Sequence, residues 1–293
     1  MSPSTMLRRT AVGISVAGLA GLTAALADPA RLYAQDSIPW PRADKLSATV
    51  QVRVTATRGD TVRVSYALTV GGSSVQPANL FVLRSDVHPT SVSGPVGWYA
   101  SSGVIEDSGE VDWSSLAGRA DVRPGATERG FEAEAVGLLD IITYRVQGRH
   151  AAPVVTDSTE GLIQAPPSVW VNSVGGSTVG FVAVPSDNSA GALMPRLESL
   201  IRQSCSLGWI RSREVCRALG GKLQEAARDL ADGRAREASK DLREFVQQLR
   251  EWHPWEGERQ HEERGIRGGR PEQVNDAAYW LLRVNAEYIL ARL

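Results

Sequence analysis

The chain has 293 residues, with 32 Lys and Arg against 33 Asp and Glu and a formal net charge of −1. That near balance supplies no broad positive field, so nucleic acid is excluded as an expected partner. The length suffices for one large or two medium domains with substantial cores, and Lys45, Lys222 and Lys240 are the only lysines, so the positive charge is almost all arginine.

Residues 1–27 read as a secretory signal peptide. The basic opening MSPSTMLRRT precedes the uncharged apolar run AVGISVAGLAGLTAALA, which ends in the small residues suited to cleavage. Cleavage is expected after Ala27, with Ala34 as the second site, and residues 28–44 form a linker. A retained membrane anchor is the alternative, at the lower limit of the roughly 17 to 25 apolar residues that a span requires. Arg8-Arg9 is a weak twin-arginine signal because Thr10-Ala11-Val12 does not extend it. No later segment is long and apolar enough to span a bilayer, and the signal peptide makes the expected location periplasmic or extracellular.

From Leu46 the sequence alternates with period two. Leu46, Ala48, Val50, Val52, Val54 and Ala56 fall on one face, and Val62, Val64, Tyr66, Leu68 and Val70 repeat the pattern after Arg58-Gly59-Asp60. Alternation of this kind marks strands with one buried and one wet face, and the Gly-Asp turn makes them an antiparallel hairpin. The same tripeptide spells an adhesive motif, but a hairpin turn needs a residue that tolerates positive φ in any case. Further strands are predicted over 80–84, 97–101, 131–136, 141–147, 168–174 and 178–184, separated by clusters such as GGSS, SVSGP, RPGAT and VGGS. Many short strands without helices between them predict an antiparallel β-sandwich over 45–185, immunoglobulin-like in the broad sense. No cysteine lies in this half, which excludes an antibody-type intersheet disulfide. Trp98, Trp113 and Trp170 read as core or sheet-edge aromatics ahead of a sugar-binding platform. The stretch RPGATERGFEAEAVGLLDIITYRVQG, residues 123–148, resembles a pattern of secreted bacterial β-domains, with Phe131 entering the sheet and Tyr144 in a late strand.

After the linker 186–194 the apolar period becomes helical, and four helices are predicted over 195–293 as an antiparallel bundle. The first carries Leu197, Leu200 and Ile201, and the second Leu219, Leu223, Ala226, Ala227 and Leu230, ending at Asp232-Gly233. The third carries Ala238, Leu242, Phe245, Val246 and Leu249 and stops at Pro254. The fourth starts near Pro271 and runs through Leu281, Leu282, Ala286 and Ile289. Gly208-Trp209-Ile210, the Leu219 to Leu223 segment with Lys222, the Asp232-Gly233 turn, Phe245-Val246 and Leu281-Leu282 together resemble the FIMAH module, a helical domain of secreted bacterial hydrolases and surface proteins. The resemblance implies an accessory module and is nearly silent on chemistry. The segment REWHPWEGERQHEERGIRGGRPEQ departs from it, being longer and more charged than the link expected there.

No nucleophile elbow, zinc-protease motif, phosphate loop, dinucleotide fingerprint or calcium loop is present, so no catalytic, cofactor or metal residue is assigned. In the charged loop, His253 and His261 stand beside Glu256, Glu258, Glu262 and Glu263, but the histidine spacing matches no helical metal site, and a solvated loop is the preferred reading. Trp252 and Trp255 in that loop are the expected partner contact. His88, His150, Asp86, Glu106 and Asp107 read as turn and edge polar groups.

The sequence thus predicts an exported, noncatalytic protein-binding or scaffolding component, in one form an extrinsic subunit docked on a membrane complex. The alternatives are a secreted hydrolase with a loop-borne site, or a carbohydrate-binding cell-wall adhesin. Cys205 and Cys216 fall at the end of the first helix and the start of the second, with Gly208 turning between them. In an oxidising compartment a structural disulfide is the preferred reading, ahead of two unpaired buried cysteines and of metal or redox work.

Overall fold

The computed structural model describes residues 46–105, 108–149, 173–253 and 272–293. Residues 1–27, the linker 28–44, Glu106, Asp107, His150, Trp170, Trp255, His261, Glu256, Glu258, Glu262 and Glu263 lie outside the described residues.

The strands are β1 (Ala48–Arg58), β2 (Thr61–Val70), β3 (Ala78–Ser85), β4 (Ser91–Ser93), β5 (Trp98–Ile105), β6 (Ser108–Ser115), β7 (Thr127–Val136), β8 (Leu138–Gly148) and β9 (Ser173–Val182). They form two antiparallel sheets, ordered β1-β2-β7-β4 and β5-β6-β3-β8-β9. With β1, β2, β7 and β4 as A, B, E and D, and β3, β8 and β9 as C, F and G, this is the strand order of an immunoglobulin-like sandwich. The hairpin of β5 and β6 extends the second sheet beyond β3, where variable-type domains carry additional strands, although here the chain makes it after β4.

Period-two alternation sends Val62, Val64, Tyr66, Leu68 and Val70 of β2 into the core. In β1 the pattern holds for Val52 and Val54, but Ala56, expected on the same face, is exposed. The cause is a register shift between Val54 and Ala56, because one extra residue reverses the face that follows. The VGGS segment, read above as a turn between two strands, lies inside the single strand β9. Its glycine serves a close approach: a β-carbon at Gly176 would lie 2.7 Å from the Tyr144 hydroxyl. Phe81 sits at the centre of the sandwich, with ring centroids 5.1 Å from Trp113, 5.5 Å from Phe131, 6.0 Å from Tyr66 and 6.3 Å from Tyr144. The two sheets are also tied by a polar contact, since the buried Tyr66 hydroxyl donates to the Val179 carbonyl at 2.9 Å. Burial pushes the Tyr66 pKa well above its ordinary value, which keeps the hydroxyl a donor.

The helices are α1 (Ala190–Ser206), α2 (Arg213–Ala231), α3 (Ala235–Trp252) and α4 (Asp276–Leu290). The first begins earlier than the apolar period indicates. Ser189 caps it by accepting from the Ala192 amide at 3.3 Å, and Pro195 is carried inside it. Ser212 and Asn275 cap α2 and α4 in the same way, which places the start of α4 past Pro271. Consecutive helices pack on one another and α4 returns to α1, closing a four-helix cluster.

Helix α4 also packs against β1, β8 and β9, and it buries residues around most of its circumference, from Ala278 and Leu281 to Val284, Tyr288 and Ile289. Its one buried amide, Asn285, donates to the Leu281 carbonyl within the helix at 2.7 Å and to the Leu139 carbonyl of β8 at 3.0 Å. Arg196 of α1 reaches the same carbonyl at 3.2 Å and pairs with Asp140 at 2.6 Å. The register explains why Leu139 is available: β3 pairs with β8 only as far as Leu83 opposite Tyr144, so the first residues of β8 have β9 alone beside them. Apolar side chains of the sandwich and the helices consequently belong to one continuous core.

Candidate interaction site

Cys205 in the last turn of α1 and Cys216 in the first turn of α2 form a disulfide, with their α-carbons 6.2 Å apart. Gly208, at φ +71°, reverses the chain between them, and the Trp209 and Ile210 amides donate to the Ser204 carbonyl. Away from this clamp, residues of α1 and α2 line an open groove of about 320 Å³. Met194, Pro195, Leu223, Ala227 and Leu230 give it an apolar floor, with Glu198 and Gln224 on its rim. Lys222 braces the far side of α2. Its ammonium lies 3.0 Å from both Glu225 and Glu244, and the second contact ties α2 to α3. Hydrogen bonds to Glu225 and Glu244 hold the Lys222 pKa above its usual value and keep it charged.

A second hollow lies over β3, β8 and β9, lined by Arg84, Thr143, Arg145 and Ser177, with a volume of about 360 Å³. A third surrounds the disulfide and presents Arg211, Arg213 and Arg217. None of the three hollows gathers two carboxylates, or a carboxylate with a histidine, so none has the makings of an acid-base pair.

Of the loop residues expected at a contact surface, Trp252 alone lies among the described residues. Trp252 ends α3, half-buried against the core, and its carbonyl receives the Gln273 and Val274 amides at 3.3 Å. Trp255 lies outside the described residues. His253 is not solvated: only 9 % exposed, it places Nε2 2.7 Å from the Asp276 carboxylate and stacks on Tyr279 with ring centroids 4.2 Å apart. The loop is therefore closed at its base by residues from both flanks. Among the described residues, no group of three or more His, Cys, Asp or Glu side chains is placed to hold a metal ion. Trp98 and Trp113 are buried, their indole N–H groups donating to the Ala120 and Ser93 carbonyls, which removes them as a sugar platform. His88 and Asp86 are exposed in the connection after β3. Asp60, in the turn with the adhesive spelling, accepts from Arg292 past the end of α4 at 3.1 Å.

The groove could not be read from the helical period, because Leu223 and Leu230 look like ordinary core positions until α1 is seen to reach back to Ala190. Asn285 was legible only as a lone amide within an apolar stretch.

No protein-family model matches the chain, and no curated protein matches it. Among solved structures it is similar to an uncharacterized protein from Nocardia farcinica described as having an immunoglobulin-like fold. The identity is 15 %, the match covers 46 % of this chain and 97 % of that one, and the TM-score is 0.29.

Removing the clamp has a defined cost. Restricting a loop of this length in the unfolded chain stabilises by about 3 kcal/mol. The Cys205→Ala, Cys216→Ala double variant is therefore expected to unfold at lower urea concentration with an m-value equal to or slightly above that of the native chain, because the unfolded chain is freed to expand. An unshifted midpoint would show that the helical hairpin needs no staple.

Proposed function

We propose that the protein is an exported, noncatalytic binding or scaffolding component that receives another protein, in one form as an extrinsic subunit docked on a membrane complex. The observation that carries this reading is the open apolar groove between α1 and α2 on a helical module that shares its core with the sandwich. An apolar groove of this shape suits the hydrophobic face of a partner helix or an extended segment. A module that shares its apolar core with the sandwich presents that groove with little loss of freedom on binding. The FIMAH-like residues between Gly208 and Ile289 support an accessory role, and a disulfide is consistent with an oxidising compartment.

The test is affinity purification of the tagged full chain from membrane and periplasmic fractions, beside an Ala227→Arg variant that fills the groove. The expected result is a partner recovered in stoichiometric amount with the native chain and lost with the variant, whose circular dichroism and melting stay unchanged. A monomer without a partner in either fraction would overturn the proposal.

A further inference from the structure

Among the described residues, the end of the sandwich away from the helices carries three loops, 71–77, 94–97 and 116–126. The helices engage the opposite end, through Asp60 after β1 and Leu139 at the start of β8. The three loops brace one another. Gly72 and Gly125 meet so closely that a β-carbon on Gly72 would contact the Gly125 α-carbon, and Gly97 approaches Ala120 until a β-carbon would come within 2.6 Å of the alanine methyl. The Trp98 indole donates to the Ala120 carbonyl at 2.8 Å, and Ala78 and Val122 exchange backbone hydrogen bonds at 2.9 Å.

Each loop nevertheless projects an apolar side chain into water: Val75 is 67 % exposed, Val96 101 % and Leu116 79 %. Burying them against their own loops was open to the chain, and these three are among the few large apolar residues left exposed. The charge at this end is one-sided. Arg119 and Arg123 are exposed, whereas the only acid in the three loops, Asp121, is buried and neutralised by Arg149. Among the described residues of these three loops, the charged and large apolar side chains left to solvent are thus apolar tips and two unpaired arginines, on a chain of net charge −1.

We propose that this end is a membrane-facing surface, which places Val75, Val96 and Leu116 in the interfacial layer of an anionic bilayer and sets Arg119 and Arg123 against lipid phosphate. Apolar tips gain by leaving water for the headgroup and acyl boundary, and guanidinium groups gain in the negative surface potential. Strand β1 starts at this same end, with Ala48 opposite Val70. The inference does not rest on the protein-partner reading, because the groove belongs to the helical module.

The test uses the full chain carrying Val96→Cys or Leu116→Cys, labelled with an environment-sensitive fluorophore, and Gln247→Cys on α3 as the reference site. Vesicles of phosphatidylcholine alone are compared with an equal mixture of phosphatidylcholine and phosphatidylglycerol. With the mixed vesicles, the labels at 96 and 116 are expected to shift to shorter wavelength and to be quenched by spin-labelled lipid, while the label at 247 stays in water. Arg119→Gln with Arg123→Gln is expected to weaken that response roughly ten- to thirty-fold, from about a factor of five for each basic side chain near the surface. Labels at 96 and 247 that respond alike would reduce the effect to tethering by the apolar run and overturn the proposal. Equal response to the two vesicle types would overturn it by removing the charge argument. A label at 96 that ignores vesicles while that position cross-links to a protein would assign the surface to a protein partner instead.

Discussion

Replacing Arg149 with Met is expected to lower the unfolding free energy by about 2 to 3 kcal/mol, below the range for a fully buried ion pair because the guanidinium is one-third exposed. The Asp121 side chain is only 1 % exposed, and it receives Nε and Nη2 of Arg149 together, with Nη2 at 2.7 Å from Oδ1. The same Nη2 donates to the Ser115 carbonyl at 2.8 Å, so one guanidinium holds the end of β6 and the loop that follows it. Hydrogen bonding to Asp121 holds the Arg149 pKa above its usual value, so deprotonation offers the pair no escape. Methionine fills much of the volume but leaves the carboxylate buried without a partner. Keeping that carboxylate unpaired, or opening the 116–126 loop to hydrate it, costs stability. The measurement is urea unfolding of the single variant and of Arg149→Met with Asp121→Asn. The double variant is expected to recover a substantial part of the loss, because the stranded charge is gone. A single variant within about 1 kcal/mol of the native chain would mean that water already reaches Asp121, since exposed pairs contribute no more than that.

The second large effect is expected at Phe81. Truncation to Ala should cost about 3 to 5 kcal/mol, the range for deleting a buried aromatic ring from a packed core. Phe81 is fully buried and contacts four other aromatic rings contributed by both sheets, so its removal leaves a cavity that no single neighbour can fill. Phe81→Leu keeps most of the volume and is expected to cost well under half as much. Thermal unfolding checks both, with each kcal/mol lowering the midpoint by roughly 2 to 4 °C for a domain of this size. Equal melting of the Ala and Leu variants would show that the centre of the sandwich repacks freely.

The parts of the fold legible in the sequence are those with a clean period and a single buried face. Strand β2 and the core positions of α2 and α3 sit where alternation and helical spacing put them, because one side of each meets the core and the other meets water. Reading failed where a long-range contact overrode the local signal. Gly175 and Gly176 look like a turn, yet they continue β9 because Tyr144 of the adjacent strand occupies the space that side chains would need. Strand β4 has three residues and borrows its order from β7, so it carries no period of its own. His253 and Asp276 are joined by the closure of the loop between them, a pairing that no spacing encodes. The groove between α1 and α2 was hidden for the same reason, since it depends on how two helices lie against each other and not on what either contains.

The ion pairs of Lys222 have a practical consequence for mapping any partner. With lysines only at 45, 222 and 240, and Lys222 drawn between Glu225 and Glu244, ready amines among the described residues reduce to Lys240 on α3. The described part of the sandwich has no lysine at all. Amine-reactive cross-linkers would therefore find no amine on the described part of either sheet, and a negative result from them would say nothing about the sheet faces. Carboxylate-directed or photoreactive chemistry is the kind that can report on them.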